Sequence, residues 1–124
     1  MRQRQKLIVI VGPTTSGKSA LAVKIAKKYH GEIVSADSRQ VYRGLDIGTA
    51  KVRGAWKDGV FWYKKIPHHC IDFISLKKTY SVAEFQECAR NAIAYIGTRG
   101  KIPILVGGTG LWIDAVVHGW HLPR

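Results

Sequence analysis

The stretch Leu7-Ile8-Val9-Ile10-Val11-Gly12-Pro13-Thr14-Thr15-Ser16-Gly17-Lys18-Ser19 decides the fold. From Gly12 onward it is a complete G-x-x-x-x-G-K-[ST] loop. The apolar run 7–11 before it reads as a buried strand. Ala20-Leu21-Ala22-Val23-Lys24-Ile25-Ala26 after it continues as a helix, over about residues 17–29. Between a strand and a helix, such a loop turns its backbone N–H groups towards an anion. Lys18 then reaches the phosphate oxygens, and the Ser19 hydroxyl faces a magnesium ion. The pattern names a ligand class, a molecule carrying a phosphate or a diphosphate.

Beyond the first helix, Gly31 suits a left-handed helix cap, and residues 32–35 read as a second short strand. Residues 53–65 mix Gly, Trp and Lys without a clean period, as a loop or a weak hairpin. Residues 70–74 are a third strand candidate, with His68-His69 as the turn into it. Ser81-Val82-Ala83-Glu84 is a capping box. The helix it opens runs to about residue 96, with Val82, Phe85, Ala89, Ala92, Ile93 and Ile96 on one face. Residues 102–106 are continuously apolar and read as a central fourth strand. Gly107-Gly108-Thr109-Gly110 turns into a last helix over 111–117. Strands alternating with helices predict an α/β fold, a P-loop NTPase-like parallel sheet flanked by helices.

At 124 residues the chain is one domain, residues 1–124. Twenty Lys and Arg against eight Asp and Glu give a net charge of +12, which favours a polyanionic partner, nucleic acid foremost. The two cysteines, Cys70 and Cys88, form neither a disulfide framework nor a zinc pattern and read as small buried apolar residues. The apolar run 7–11 is too short for a signal-peptide core or a membrane span, so a soluble cytoplasmic protein is expected.

Ligands of parallel α/β sheets bind beyond the carboxyl ends of the strands. That rule gathers residues 12–19, 35–40, Asp72 and 107–109 into one crevice. Asp37 follows the second strand directly. It could hold magnesium through water, take a proton from a nucleophile, or simply cap a turn. A Walker-B motif needs an Asp at the end of an apolar strand. Here Ile104-Leu105-Val106 runs into Gly107-Gly108-Thr109 instead, so phosphate binding is supported and ATP hydrolysis is not. His68 and His69 lack metal-ligand spacing. Trp56 and Trp62 lie among Lys51, Arg53, Lys57, Lys64 and Lys65, and either stack on bases or pack at the core edge.

The loop 12–19, the stretches 35–51, 67–72 and 80–85, and Val106-Gly107-Gly108-Thr109-Gly110-Leu111-Trp112 resemble, in that order, the N-terminal part of the tRNA dimethylallyltransferases, or tRNA isopentenyltransferases. The resemblance runs from about Leu7 to Gly119. It implies transfer of a dimethylallyl group from dimethylallyl diphosphate to N6 of the adenosine 3′ of the anticodon, on the tRNA anticodon stem-loop. By that resemblance Asp37 accepts the N6 proton and Thr109 orients the diphosphate or the base. Gly12, Pro13, Thr14, Thr15, Ser16, Gly17, Lys18 and Ser19 hold the diphosphate, with Mg2+ on Ser19. Asp37, Ser38, Arg39 and Gln40 touch the flipped-out adenosine. Thr15 stands where the family often has alanine. Family members are longer, with a helical tRNA-binding insertion and C-terminal segments, so a truncated sheet with an exposed apolar edge is expected, in a monomer. The rival readings are an adenylate isopentenyltransferase acting on free nucleotide, a small-molecule P-loop kinase using ATP, and a non-catalytic nucleotide- or RNA-binding fragment.

Overall fold

The computed structural model describes residues 6–12, 17–37, 54–71, 80–108 and 110–118. Their elements, in chain order, are β1 (Ile8–Val11), α1 (Lys18–Tyr29), β2 (Gly31–Ser35), β3 (Ala55–Lys57), β4 (Val60–Tyr63), β5 (Ile66–His69), α2 (Val82–Thr98), β6 (Ile102–Gly107) and α3 (Gly110–Val117). The strands form one sheet in the order β1-β6-β2-β5-β4-β3. β1, β6, β2 and β5 run parallel, and β4 and β3 add to them antiparallel. The expected P-loop-type sheet is therefore present with an antiparallel extension.

Alternation along the strands sends neighbouring side chains to opposite faces. Ile33, Ile66 and Ile104 meet Ala22, Val23 and Ala26 of α1 on one face. Val34 and Leu105 meet Phe85, Ala89 and Ile96 of α2, with Trp112 and Val116 of α3, on the other. Each Val, Leu, Ile or Phe among them contributes about 1.5–3 kcal/mol when fully buried. Phe85 and Trp112 stack with ring centroids 4.3 Å apart, clamping α2 to α3. β6, expected to be central, lies between β1 and β2 and is buried along almost its whole length.

The capping box forms as read. Ser81 Oγ accepts from the Glu84 N–H at 3.1 Å, and Glu84 Oε1 accepts from the Ser81 N–H at 3.2 Å. α1 does not end as read. The left-handed cap is His30, at φ 54°, whose N–H returns to the Ala26 carbonyl. Gly31 is already in β2, where a Cβ would stand 2.6 Å from the Ile102 carbonyl oxygen. Close strand approach, not helix capping, requires that glycine.

The described part of the segment, residues 54–65, takes the hairpin alternative. Asp58 and Gly59, at φ 53° and 77°, make a two-residue turn between β3 and β4. Lys64 and Lys65, at φ 53° and 67°, make a second one into β5. The third strand is also displaced from its expected place. His68 and His69, read as a turn, belong to β5. Cys70, at φ 60°, leaves the ladder, and Ile71 is buried beyond the strand end. Burial without sheet pairing explains why 70–71 look strand-like. The cysteines likewise depart from the expectation of unpaired buried residues: Cys70 and Cys88 are joined as a disulfide, their Cα atoms 6.3 Å apart. α2 packs on β2 and β6, and β5 lies beside β2, which brings the two cysteines together in a way sequence spacing does not encode. No helix among the described residues is long and apolar enough to cross a membrane.

Candidate active site

Three parallel strand ends are knitted together at one rim of the sheet. The Gly12 N–H, just past β1, donates to the Gly107 carbonyl at 3.1 Å, and the Ala36 N–H, just past β2, donates to the Val106 carbonyl at 2.7 Å. A Cβ on Gly107 would sit 2.5 Å from the Ala36 carbonyl oxygen, so only glycine lets β6 approach β2 here. Gly17, at φ 74°, turns the loop into α1 and leaves Lys18 as the helix's first residue.

Lys18 and Asp37 are both buried, at 8% and 9% exposure. They converge on the glycine turn after β6. The position a Cβ would take on Gly108 lies 3.7 Å from the Gly12 carbonyl oxygen, 3.8 Å from Lys18 Nζ and 3.9 Å from Asp37 Oδ2. A cation and a carboxylate therefore face one methyl-sized space that glycine keeps open. The narrow crevice around them is lined by Lys18, Ser19, Ser35, Asp37, His68 and Gly107. Of the site residues read from sequence, Gly12, Gly17, Lys18, Ser19 and Asp37 are brought together. Pro13, Thr14, Thr15, Ser16, Ser38, Arg39, Gln40, Asp72 and Thr109 lie outside the described residues.

His68 is the lining residue that sequence reading assigned no role. Strand alternation in β5 puts it on the α1 face, against Phe61 and Tyr63. Burial pushes its pKa down to about 4, against the raising effect of its bond to the Ile66 carbonyl. It is accordingly neutral, with Nδ1–H donating to that carbonyl at 2.9 Å. The adjacent His69 points to the other face, where its Nε2–H donates to Glu32 Oε1 at 2.8 Å. The period-2 pattern Ile66-x-His68 was the available signal, masked by two consecutive polar residues.

Trp56 and Trp62 of the hairpin are 47% and 38% exposed. Trp56 touches Phe61 edge-on at 5.6 Å, with much of its ring left towards solvent. Lys57, Lys64 and Lys65 are exposed on the same hairpin.

A mainly parallel sheet with a buried lysine opening the helix after its first strand, and a carboxylate just past the neighbouring strand, defines an α/β protein of P-loop NTPase-like fold. Residues 40–124 match the IPP transferase family, and residues 5–55 match the isopentenyl transferase family. The chain belongs to the IPP transferase family. It is 52% identical over 118 residues to the tRNA dimethylallyltransferase of Roseiflexus sp. (strain RS-1), covering 95% of this chain and 37% of that protein. It is 57% identical over 113 residues to the tRNA dimethylallyltransferase of Carboxydothermus hydrogenoformans, covering 91% and 34%. Its fold is similar to the crystal structure of the tRNA isopentenylpyrophosphate transferase of Bacillus halodurans, with a TM-score of 0.85, 47% identity, and coverage of 98% of this chain and 38% of that one. A eukaryotic dimethylallyltransferase acting on tRNA gives a TM-score of 0.78 at 37% identity, covering 90% and 26%. The chain thus spans about a third of the length of the curated relatives it matches.

Proposed function

We propose that this chain carries the diphosphate-binding and proton-accepting part of a tRNA dimethylallyltransferase, acting in the cytoplasm. In this reading N6 of the adenosine 3′ of the anticodon attacks the allylic carbon of dimethylallyl diphosphate. The N6–carbon bond forms as the carbon–oxygen bond breaks. Diphosphate leaves with the electron pair, and the N6 proton passes to the Asp37 carboxylate. The observation that carries the reading is the convergence of Lys18 Nζ and Asp37 Oδ2 on the space over Gly108. A leaving diphosphate needs the cation, and an attacking amine needs the base.

Lys18 and the loop N–H groups would neutralise charge as it develops on the leaving diphosphate, in a site largely withdrawn from water. The hard oxygen donors of Ser19 and Asp37 beside Lys18 suit a magnesium diphosphate, since magnesium takes oxygen ligands and keeps several waters. Ser19 would hold the ion. Bound there, magnesium would supply further neutralisation of the diphosphate. Thr109 would orient the diphosphate or base, and Ser38, Arg39 and Gln40 would contact the extruded adenosine. Extrusion costs a few kcal/mol, less in a single-stranded loop. The exposed Trp56 and Trp62 beside lysines favour RNA over a free nucleotide acceptor.

The test is transfer of a labelled dimethylallyl group from its diphosphate into unmodified tRNA with magnesium. Asp37→Asn should lower the rate about 10²–10⁴-fold. Equal incorporation by parent and variant would refute the proton-acceptor role. Dimethylallyl diphosphate binding that survives Lys18→Ala unchanged would refute the loop assignment.

A further inference from the structure

A roomier cavity, of about 450 Å³, lies at the opposite rim, where β2 and β5 begin. It is lined by Glu32, Pro67 and His69 from the sheet, Trp62 from the hairpin, and Tyr95 and Arg99 from the end of α2. Lys27, Lys65 and Lys101 complete its margin, all exposed.

Among the described residues Glu32 is the one carboxylate lining this cavity, and its side chain is only 4% exposed. Its Oε1 accepts from both His69 Nε2 and Arg99, which ties the end of α2 to the start of β2. Burial alone would raise the Glu32 pKa, but the bonds from His69 and Arg99 outweigh it and hold the group at about 2. Arg99 also lies over the Tyr95 ring at 4.3 Å. Arg99 and Glu32 cancel, leaving three lysine charges. The carbonyl ends of α1 and α2 meet here too. Each helix end carries roughly half a negative charge, so the lysines still leave a clear positive excess. Lys65 reaches this margin from a left-handed backbone conformation, at φ 67°, which a lysine adopts only at an energetic cost.

An aromatic platform beside a cluster of cations is the chemistry that holds a nucleotide: the π-face takes the base, and the cations take the phosphate. We propose that this cavity binds a phosphate-bearing nucleotide unit, its base stacked on Trp62 and its phosphate against Lys27, Lys65 and Lys101. It lies at the other end of the parallel strands from Lys18 and Asp37 and does not depend on the transfer chemistry. A free nucleotide and one unit of an RNA strand present the same groups.

The indole N–H resonance of Trp62 in the isotope-labelled chain reports on it. Titrations would use adenosine monophosphate, a six-residue oligoadenylate and inorganic phosphate, in the parent and in a Lys18→Ala background that disables the phosphate loop. The expected result is a saturable Trp62 shift that persists in Lys18→Ala. Affinity should fall at least tenfold in the doubly substituted Lys27→Ala/Lys101→Ala protein, whose altered side chains are exposed. Equal affinity for monophosphate and oligomer would identify the free nucleotide as the ligand; tighter oligomer binding would identify RNA. An unmoved Trp62 resonance, or unchanged affinity in the doubly substituted protein, would overturn the proposal. Inorganic phosphate shifting Trp62 as strongly as the nucleotide would overturn the stacking half of it.

Discussion

Gly107 and His68 show how single residues set the geometry at the Asp37 rim. Gly107 lets β6 press against the Ala36 carbonyl, and any Cβ there enters at 2.5 Å. Gly107→Ala should cost about 1–3 kcal/mol by overpacking, read as a lowered urea midpoint. It should also weaken diphosphate binding, because relief requires β2 and β6 to part beside Asp37. A variant as stable as the parent would show that the strands yield freely. His68 links the same rim to pH. Its proton leaves at about 4 in the folded chain against 6.5 as the ordinary value. Between those values the unfolded chain holds more protons. Stability is therefore full above 6.5, declines as pH falls through the window, and loses at most about 3 kcal/mol near 4. Urea titrations at pH 7 and 5 should show the decline in the parent and little of it in His68→Gln. Equal slopes would assign the pH dependence elsewhere. Glu32, held at about 2, adds its own loss only below about 4.5.

At the scale of elements, legibility followed local chemistry. β1, α1, α2 and β6 were readable because each carries its own signal: the loop after β1, the capping box before α2, the continuous apolar run of β6. Ser81→Ala should cost about 1 kcal/mol in the same urea assay, and a negligible change would mean that the box is dispensable. The β3–β4 turn was also readable, since Asp58-Gly59 between strands is a hairpin signal, but the surrounding tryptophans and lysines obscured the alternation. The β4–β5 turn was not. Lys64 and Lys65 both take positive φ without glycine or asparagine, so nothing in their chemistry announces a turn. Replacing them with Asn and Gly should stabilise the hairpin by about 1–2 kcal/mol. Calorimetry would check it, and a lower melting temperature would show that the lysines make compensating contacts. The Lys18–Asp37 crevice was legible because both residues belong to strand-end segments that the parallel topology gathers. The Glu32–His69–Arg99 cluster was not, since it joins residues from three elements with no sequence period between them.

Across the whole molecule, the sheet is finished unevenly. Among the described residues β1 is an edge strand, with Val9 and Val11 40% and 53% exposed. An apolar edge is an invitation to pair with another chain. Sedimentation should show concentration-dependent association that Val9→Lys/Val11→Lys suppresses, and a chain monomeric at all concentrations would refute that. β2 has a different importance. Glu32 stands at its start and Asp37 just past its end, and a strand advances about 3.3 Å per residue, so the two rims are held about 16 Å apart. β2 is fully buried between β6 and β5, which makes that spacing a fixed gauge. A mononucleotide is too short to meet both rims at once. With both rims occupied as proposed, a polymer that spans the gauge would gain from each rim in turn, because occupying one raises the local concentration of its next segment at the other. The strand would then act as a length filter, favouring long polyanions over small ones without a single additional contact.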